Sequence, residues 1–164
     1  MVVVVMGVSG AGKTTVGQLL ALQLGWEYAD ADDFHSAANV EKMRSGIPLS
    51  DEDRVPWLAT LRGMIVAWTK ARKNAVLACS ALTRAYREIL NAGSEVQFVY
   101  LKGTAQLLRQ RLHLRVGHFM TARMLDSQLG ILEEPDHAVV VEVDRSPDEI
   151  VAEIRAKLRL TEKL

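Results

Sequence analysis

Lys13 and Thr14 are the first residues in the chain whose types and spacing specify a chemistry. They close the run Gly7-Val8-Ser9-Gly10-Ala11-Gly12-Lys13-Thr14, which matches the pattern GxxxxGK followed by Ser or Thr at every fixed position. Glycines there let the backbone curl until successive N–H groups point at phosphate oxygens, and the positive end of the helix that must follow adds to the field. In such a loop Gly7, Ser9, Gly10, Ala11, Gly12 and Thr15 surround the phosphates, Lys13 bridges the β- and γ-phosphates, and the Thr14 hydroxyl sits on Mg²⁺. A turn that merely starts a helix needs neither the lysine nor the threonine. The expected chemistry is phosphoryl transfer from a nucleotide.

A phosphate loop names a donor and leaves the acceptor open. The segment Tyr28-Ala29-Asp30-Ala31-Asp32-Asp33-Phe34-His35 puts a cluster of carboxylates at the end of a second strand-like run, and parallel sheets present ligands at the carboxyl ends of their strands. Asp30 and Asp32 are two apart, so in extended backbone they face one side, where one can hold a metal-bound water and the other can accept a proton. The same cluster also reads as a solvated acidic turn with capping duties. Arg54 lies beside Asp51, Glu52 and Asp53, and taken alone describes a local ion pair on a solvated turn. Arg111 and Arg115 are four apart on a helix-like stretch, hence on one face, with His118 just beyond Gly117. That segment reads as a kinase lid, which closes over the nucleotide and brings a guanidinium to the transferring phosphoryl, or as an ordinary basic face. The histidines at 35, 113, 118 and 137 show no zinc-binding spacing.

These groups need a frame to hold them. Strand-like runs at Val2–Met6, Trp26–Ala29, Ala75–Cys79, Gln97–Leu101 and Ala138–Val143 alternate with helix-like stretches at Thr14–Leu24, Pro56–Ala71, Ala105–Leu114 and Asp148–Leu160. Short strands with few charges, separated by helices, predict an α/β fold with a five-stranded parallel sheet covered on both faces. Ser146-Pro147-Asp148 supplies a cap, a first-turn proline and an acid for the last helix. Residues 39–56, rich in charge and turn formers, read as a helical or loop insertion over the site. Trp57 and Trp68, eleven apart and so on one helix face, read as core or interface.

The chain has 164 residues, 49% hydrophobic and 24% charged, which suits one globular domain and argues against disorder. Twenty basic and 20 acidic side chains balance, so no global field favours nucleic acid or an anionic membrane. The single cysteine, Cys79, excludes an internal disulfide and points to a reducing, cytoplasmic setting with a packed thiol. The apolar run Met1–Met6 is too short to span a bilayer.

Motif by motif, the chain resembles the gluconokinases, small P-loop kinases related to the shikimate kinases. The resemblance rests on MGVSGAGKTT from Met6, DADDFH from Asp30, NVEKMRSGIPLSDEDRVPWL from Asn39, CSAL from Cys79 with Tyr86-Arg87, YLKG from Tyr100, RLHLRVGHFM from Arg111 and LDSQLGILEEP from Leu125. It implies a three-layer α/β/α kinase spanning residues 1–164, with a substrate-binding insertion at about 35–58 and a helical lid at about 111–130. It implies ATP-dependent phosphorylation of D-gluconate to 6-phospho-D-gluconate with Mg²⁺, by a cytoplasmic homodimer that binds no nucleic acid or membrane. Under it Asp32 becomes the base or orienting carboxylate for the 6-hydroxyl, Asp30 the metal-side acid, and Arg115 the lid's catalytic guanidinium. No apolar run ending in Asp offers another metal acid, since Ala75–Ser80 ends in Cys-Ser. His35, Arg54, Arg87 and His118 become candidates for holding the sugar acid, and Arg111 and residues 143–147 become neighbours of the nucleotide. Ser36, Ala31 and Thr83 depart from the usual pattern, the last replacing a lysine whose place Arg84 could take. A kinase of another polyhydroxy acid such as shikimate, or a nucleotide-binding module without turnover, remain the alternatives.

Overall fold

The computed structural model describes residues 1–92, 95–114 and 122–161. Its first strand, β1 (Val2–Met6), is buried at every position, and so is β3 (Ala75–Ala78). Since successive side chains of a strand point to opposite faces, unbroken burial requires cover on both sides. β2 (Glu27–Asp30), β4 (Val96–Lys102) and β5 (Val139–Glu142) complete a sheet of order β2-β3-β1-β4-β5. Every pairing in it is parallel, with Val5 opposite Ala78 on one side and Val99 on the other. The most buried strand is thus the one that leads into the phosphate loop.

Helices supply the cover. α1 (Lys13–Leu24) packs against α7 (Pro147–Leu158), and α3 (Asp51–Lys70) packs against α4 (Arg84–Leu90). Leu20, Leu24, Leu61, Ile65 and Ile154 are fully buried against the sheet. Such a parallel sheet with helices on both faces is the expected architecture. α2 (Ala37–Arg44), α5 (Ala105–His113) and α6 (Ala122–Ile131) are the remaining helices described.

Local chemistry moved some boundaries. α3 begins at Asp51 rather than near Pro56, because Ser50 and Asp53 form a capping box: the Ser50 hydroxyl accepts from Asp53 N at 3.1 Å and Asp53 Oδ2 accepts from Ser50 N at 2.9 Å. Pro56 then falls inside the helix, where it has no N–H to offer the carbonyl of Glu52 four residues earlier. Ser36 caps α2, accepting from Asn39 N at 3.1 Å. Ser146 and Glu149 form the capping box of α7, with Pro147 in its first turn as expected.

Candidate active site

The carboxyl ends of β1, β2 and β3 open onto one cleft, bordered by Lys13, Thr14, Asp30, Asp32, His35 and Arg54. Lys13 and Thr14 reach it from the start of α1, Asp30 from the end of β2, Asp32 and His35 from the turn that follows, and Arg54 from α3. Gly10 and Gly12 of the phosphate loop have φ of +85° and +91°, a region that favours glycine. A Cβ on Gly10 would stand 2.9 Å from the Leu108 carbonyl oxygen, whereas one on Gly12 would meet nothing within 4 Å. Gly10 is therefore needed for the close approach of α5, and Gly12 for the left-handed turn that enters α1. As the N-cap residue, Gly12 brings no side chain to the first N–H groups of α1, which leaves them to serve an anion. Lys13 Nζ donates to the Val8 carbonyl at 3.1 Å, curling over the same loop. Ser9 N donates to Gln128 Oε1 at 2.7 Å in a buried contact that fastens α6 to the loop.

The acidic segment does not stay extended. Asp30 ends β2, and residues 31–34 form a single 3₁₀ turn. Asp30 Oδ1 accepts from Asp32 N at 3.0 Å and Asp30 Oδ2 accepts from the Thr14 hydroxyl at 2.7 Å. Asp30 is thus both a cap and a partner of the phosphate loop. Thr14 and Asp30 together present hard oxygen donors beside the loop, a set that suits Mg²⁺ with phosphate and water filling its other positions. Asp32 points into the cleft with 47% of its side chain exposed. Desolvation by the cleft walls holds its carboxyl above the usual range; Asp30 and Asp33 add to that, while Lys13 opposes it.

His35 is packed, with 4% of its side chain exposed. Its ring stacks on Trp57, centroids 4.3 Å apart and 16° from parallel. Trp57 is held in turn by donating Nε1–H to the Ala31 carbonyl at 2.7 Å. Burial, with a smaller push from Arg54, lowers the His35 pKa to about 4, so the ring is neutral at physiological pH. Its Nε2 lies 4.0 Å from Asp32 Oδ1. The Asn39 amide bridges to this corner, donating to the Asp53 carbonyl at 2.9 Å and lying 3.5 Å from His35 Nδ1.

Arg54 is not paired with the acids that flank it. Asp53 is taken by Lys42 at 2.9 Å and by its capping role, and Arg54 instead donates to the Tyr86 hydroxyl at 3.2 Å. The guanidinium is on the cleft wall. Beyond the phosphate loop, Arg111, Leu114, Arg145 and Pro147 border Gly10, Gly12 and Thr15 in a second hollow, with Arg111 donating to the Val143 carbonyl. Arg111 and the 143–147 segment are thereby brought together beside the loop.

Arg87 requires a correction. It is 8% exposed, away from the cleft, and donates to the carbonyls of Ala81 and Glu133, each at 2.8 Å. Ala81 has φ of +45°, an unfavourable left-handed conformation for a residue with a Cβ, and Arg87 fastens its carbonyl. This turn carries Ser80 and Leu82 to the cleft wall. Arg84 does not replace a lysine there either, since it pairs with Asp136, and Thr83 caps α4 by accepting from Tyr86 N at 3.2 Å. Trp57, read as core or interface, is both buried and part of the cleft wall. Arg115 and His118 lie outside the described residues. Asn39, Tyr86 and Gln128 support the site although the sequence assigns none of them a role, because isolated polar residues on helices have no spacing signal. Cys79 is buried and its thiol is pushed up to about 12, which fits a packed role.

A phosphate loop facing an acid, a neutral histidine and a fixed cation across one cleft defines a small P-loop kinase. The shikimate kinase family model matches residues 9–159. Gluconokinase of Gluconobacter oxydans is 47% identical over 155 residues, covering 92% of this chain and 87% of its own. Among solved structures, an unliganded sugar kinase from a Janibacter species superposes with a TM-score of 0.91 at 43% identity, over 98% of this chain and 95% of that one. Gluconokinase of Sinorhizobium meliloti follows at 0.85 and 41%, over 96% and 90%. The chain belongs to the gluconokinase family, within the broader shikimate kinase group.

Proposed function

We propose that the protein transfers the γ-phosphoryl group of ATP to the 6-hydroxyl of D-gluconate, giving 6-phospho-D-gluconate and ADP. The observation that carries this reading is the shared cleft, which Lys13, Thr14, Asp32 and Arg54 all border. The 6-hydroxyl oxygen forms the new bond to phosphorus as the bond from phosphorus to the β,γ-bridging oxygen breaks. The hydroxyl proton passes to Asp32, whose raised pKa makes it a better acceptor than an ordinary carboxylate. Lys13 and the N–H groups of the loop hold the phosphates and the charge that shifts onto ADP. Thr14 and Asp30 would hold Mg²⁺, which would supply positive charge against the phosphates. Arg54 receives the substrate carboxylate and His35, as a neutral ring, can hydrogen-bond its hydroxyls.

The hollow beside Arg111 is the proposed place of the nucleotide's outer part, with residues 35–58 as acceptor insertion and 111–130, including Arg115 and His118, as lid. Homodimeric assembly and a cytoplasmic location belong to the same proposal. Among the described residues no helix is long and apolar enough to cross a membrane. The deciding experiment is ATP consumption with gluconate, with shikimate, with other aldonates and with no acceptor. Gluconate-dependent ADP release supports the reading. Equal rates without acceptor, or preference for shikimate, refute it.

A further inference from the structure

Asp51 and Arg54 are three apart on α3, a spacing at which opposite charges on a helix pair readily. Among the described residues that pair is not made. Arg54 Nη1 donates to the Tyr86 hydroxyl at 3.2 Å, and the same hydroxyl donates to Asp51 Oδ1. The guanidinium carbon lies 5.5 Å from the centre of the Tyr86 ring. The tyrosine belongs to α4, where it is 7% exposed. Its N–H is capped by Thr83, and its neighbour Arg87 ties the helix to the Ala81 and Glu133 carbonyls. The hydroxyl is therefore placed by the packing and capping of α4.

We propose that Tyr86 is a positioning residue for the substrate carboxylate: its hydroxyl, engaged by Asp51, stands where Asp51 would otherwise close on Arg54, and so keeps the guanidinium available to an acidic polyol. This rests on the reading of Arg54 as the gluconate receptor. A guanidinium has five N–H donors in a fixed fork, and a neutral phenol that accepts one of them orients the group without cancelling its charge. A carboxylate in the same place would cancel it, and substrate would then have to displace an existing ion pair. Burial and the bond to Asp51 both hold the phenol above its ordinary pKa, which keeps it a donor. The device favours sugar acids over neutral sugars, since only a substrate carboxylate gains from an uncancelled cation.

The test is initial-rate kinetics of Arg54→Ala, Tyr86→Phe and the double variant Tyr86→Phe/Asp51→Asn, varying gluconate and ATP separately. Phenylalanine keeps the ring and its packing, and an unchanged ATP KM reports an intact fold. Tyr86→Phe is expected to raise the gluconate KM roughly tenfold while kcat and the ATP KM stay within about twofold, the size of one charge-assisted hydrogen bond. The double variant is expected to recover to within about threefold of wild type, because no carboxylate remains to capture Arg54. A purely structural tyrosine would leave the double variant as weak as Tyr86→Phe or weaker, and that outcome overturns the proposal. So does a normal gluconate KM in Tyr86→Phe when Arg54→Ala raises it. An unchanged gluconate KM in Arg54→Ala sinks the receptor reading itself, and the role of Tyr86 with it.

Discussion

Replacing His35 with glutamine should remove a specific part of the acid sensitivity of the fold. The unfolded ring titrates near 6.5, while in the folded protein its pKa is lowered to about 4 by burial and by Arg54. Between those values the unfolded chain binds a proton that the folded one refuses, so stability rises with pH through this window. The contribution is fully present above about pH 6.5 and is lost as pH falls toward about 4. At about 1.4 kcal/mol for each pH unit, the difference sets a ceiling of about 3 kcal/mol, of which about 2 kcal/mol is lost between pH 7 and 5. With 4% of the side chain exposed, solvent screening removes little of this. Asp53, pushed down to about 2 chiefly by Lys42, also loses stabilisation in acid, but below that window. Urea unfolding at pH 5 and pH 7 gives the measurement. Wild type should lose about 2 kcal/mol more than His35→Gln over the interval. Equal losses in the two proteins would refute the buried, neutral histidine, whatever the variant's stability at pH 7.

Three further outcomes follow from the cleft. Gly10→Ala should cost roughly 1–3 kcal/mol, seen as a lower Tm, because the new Cβ meets the Leu108 carbonyl at 2.9 Å in a left-handed backbone. Gly12→Ala has open space and should show only the conformational part, so it serves as the control. Asp32→Asn should lower kcat by roughly 10²–10⁴-fold with the ATP KM little changed, and near-normal turnover would remove Asp32 from the proton path. Asp30→Asn should raise the Mg²⁺ concentration needed for half-maximal rate, measured by metal titration at fixed ATP; an unchanged requirement would separate Asp30 from the metal.

The contiguous pattern from Gly7 to Thr14 carried the donor chemistry into the sequence, since a phosphate loop is built from backbone geometry that adjacent glycines encode. A parallel sheet covered on both faces was legible in the same way, because runs without charge such as Val2–Met6 and Ala75–Ala78 suit strands buried on both sides, whereas the order of the strands came only from the structure. The acidic cluster was half legible. Its composition placed it at the strand end, but the turn after Asp30, and Asp30's double duty toward Asp32 N and Thr14, depend on backbone that alternation could not show.

What the sequence by itself determined about this protein is the phosphate loop, the parallel α/β frame and, through dispersed motifs, the family. Only the tertiary structure decided the fate of the arginines. Arg54 and Arg87 are equally plausible receptors on paper. One faces the cleft because Tyr86 comes from another helix to meet it, while the other is drawn inward by the carbonyls of Ala81 and Glu133. The physical reason is that a charge's role depends on which partners lie within a few ångströms, and here two of those partners, Tyr86 and Glu133, are 32 and 46 residues away along the chain.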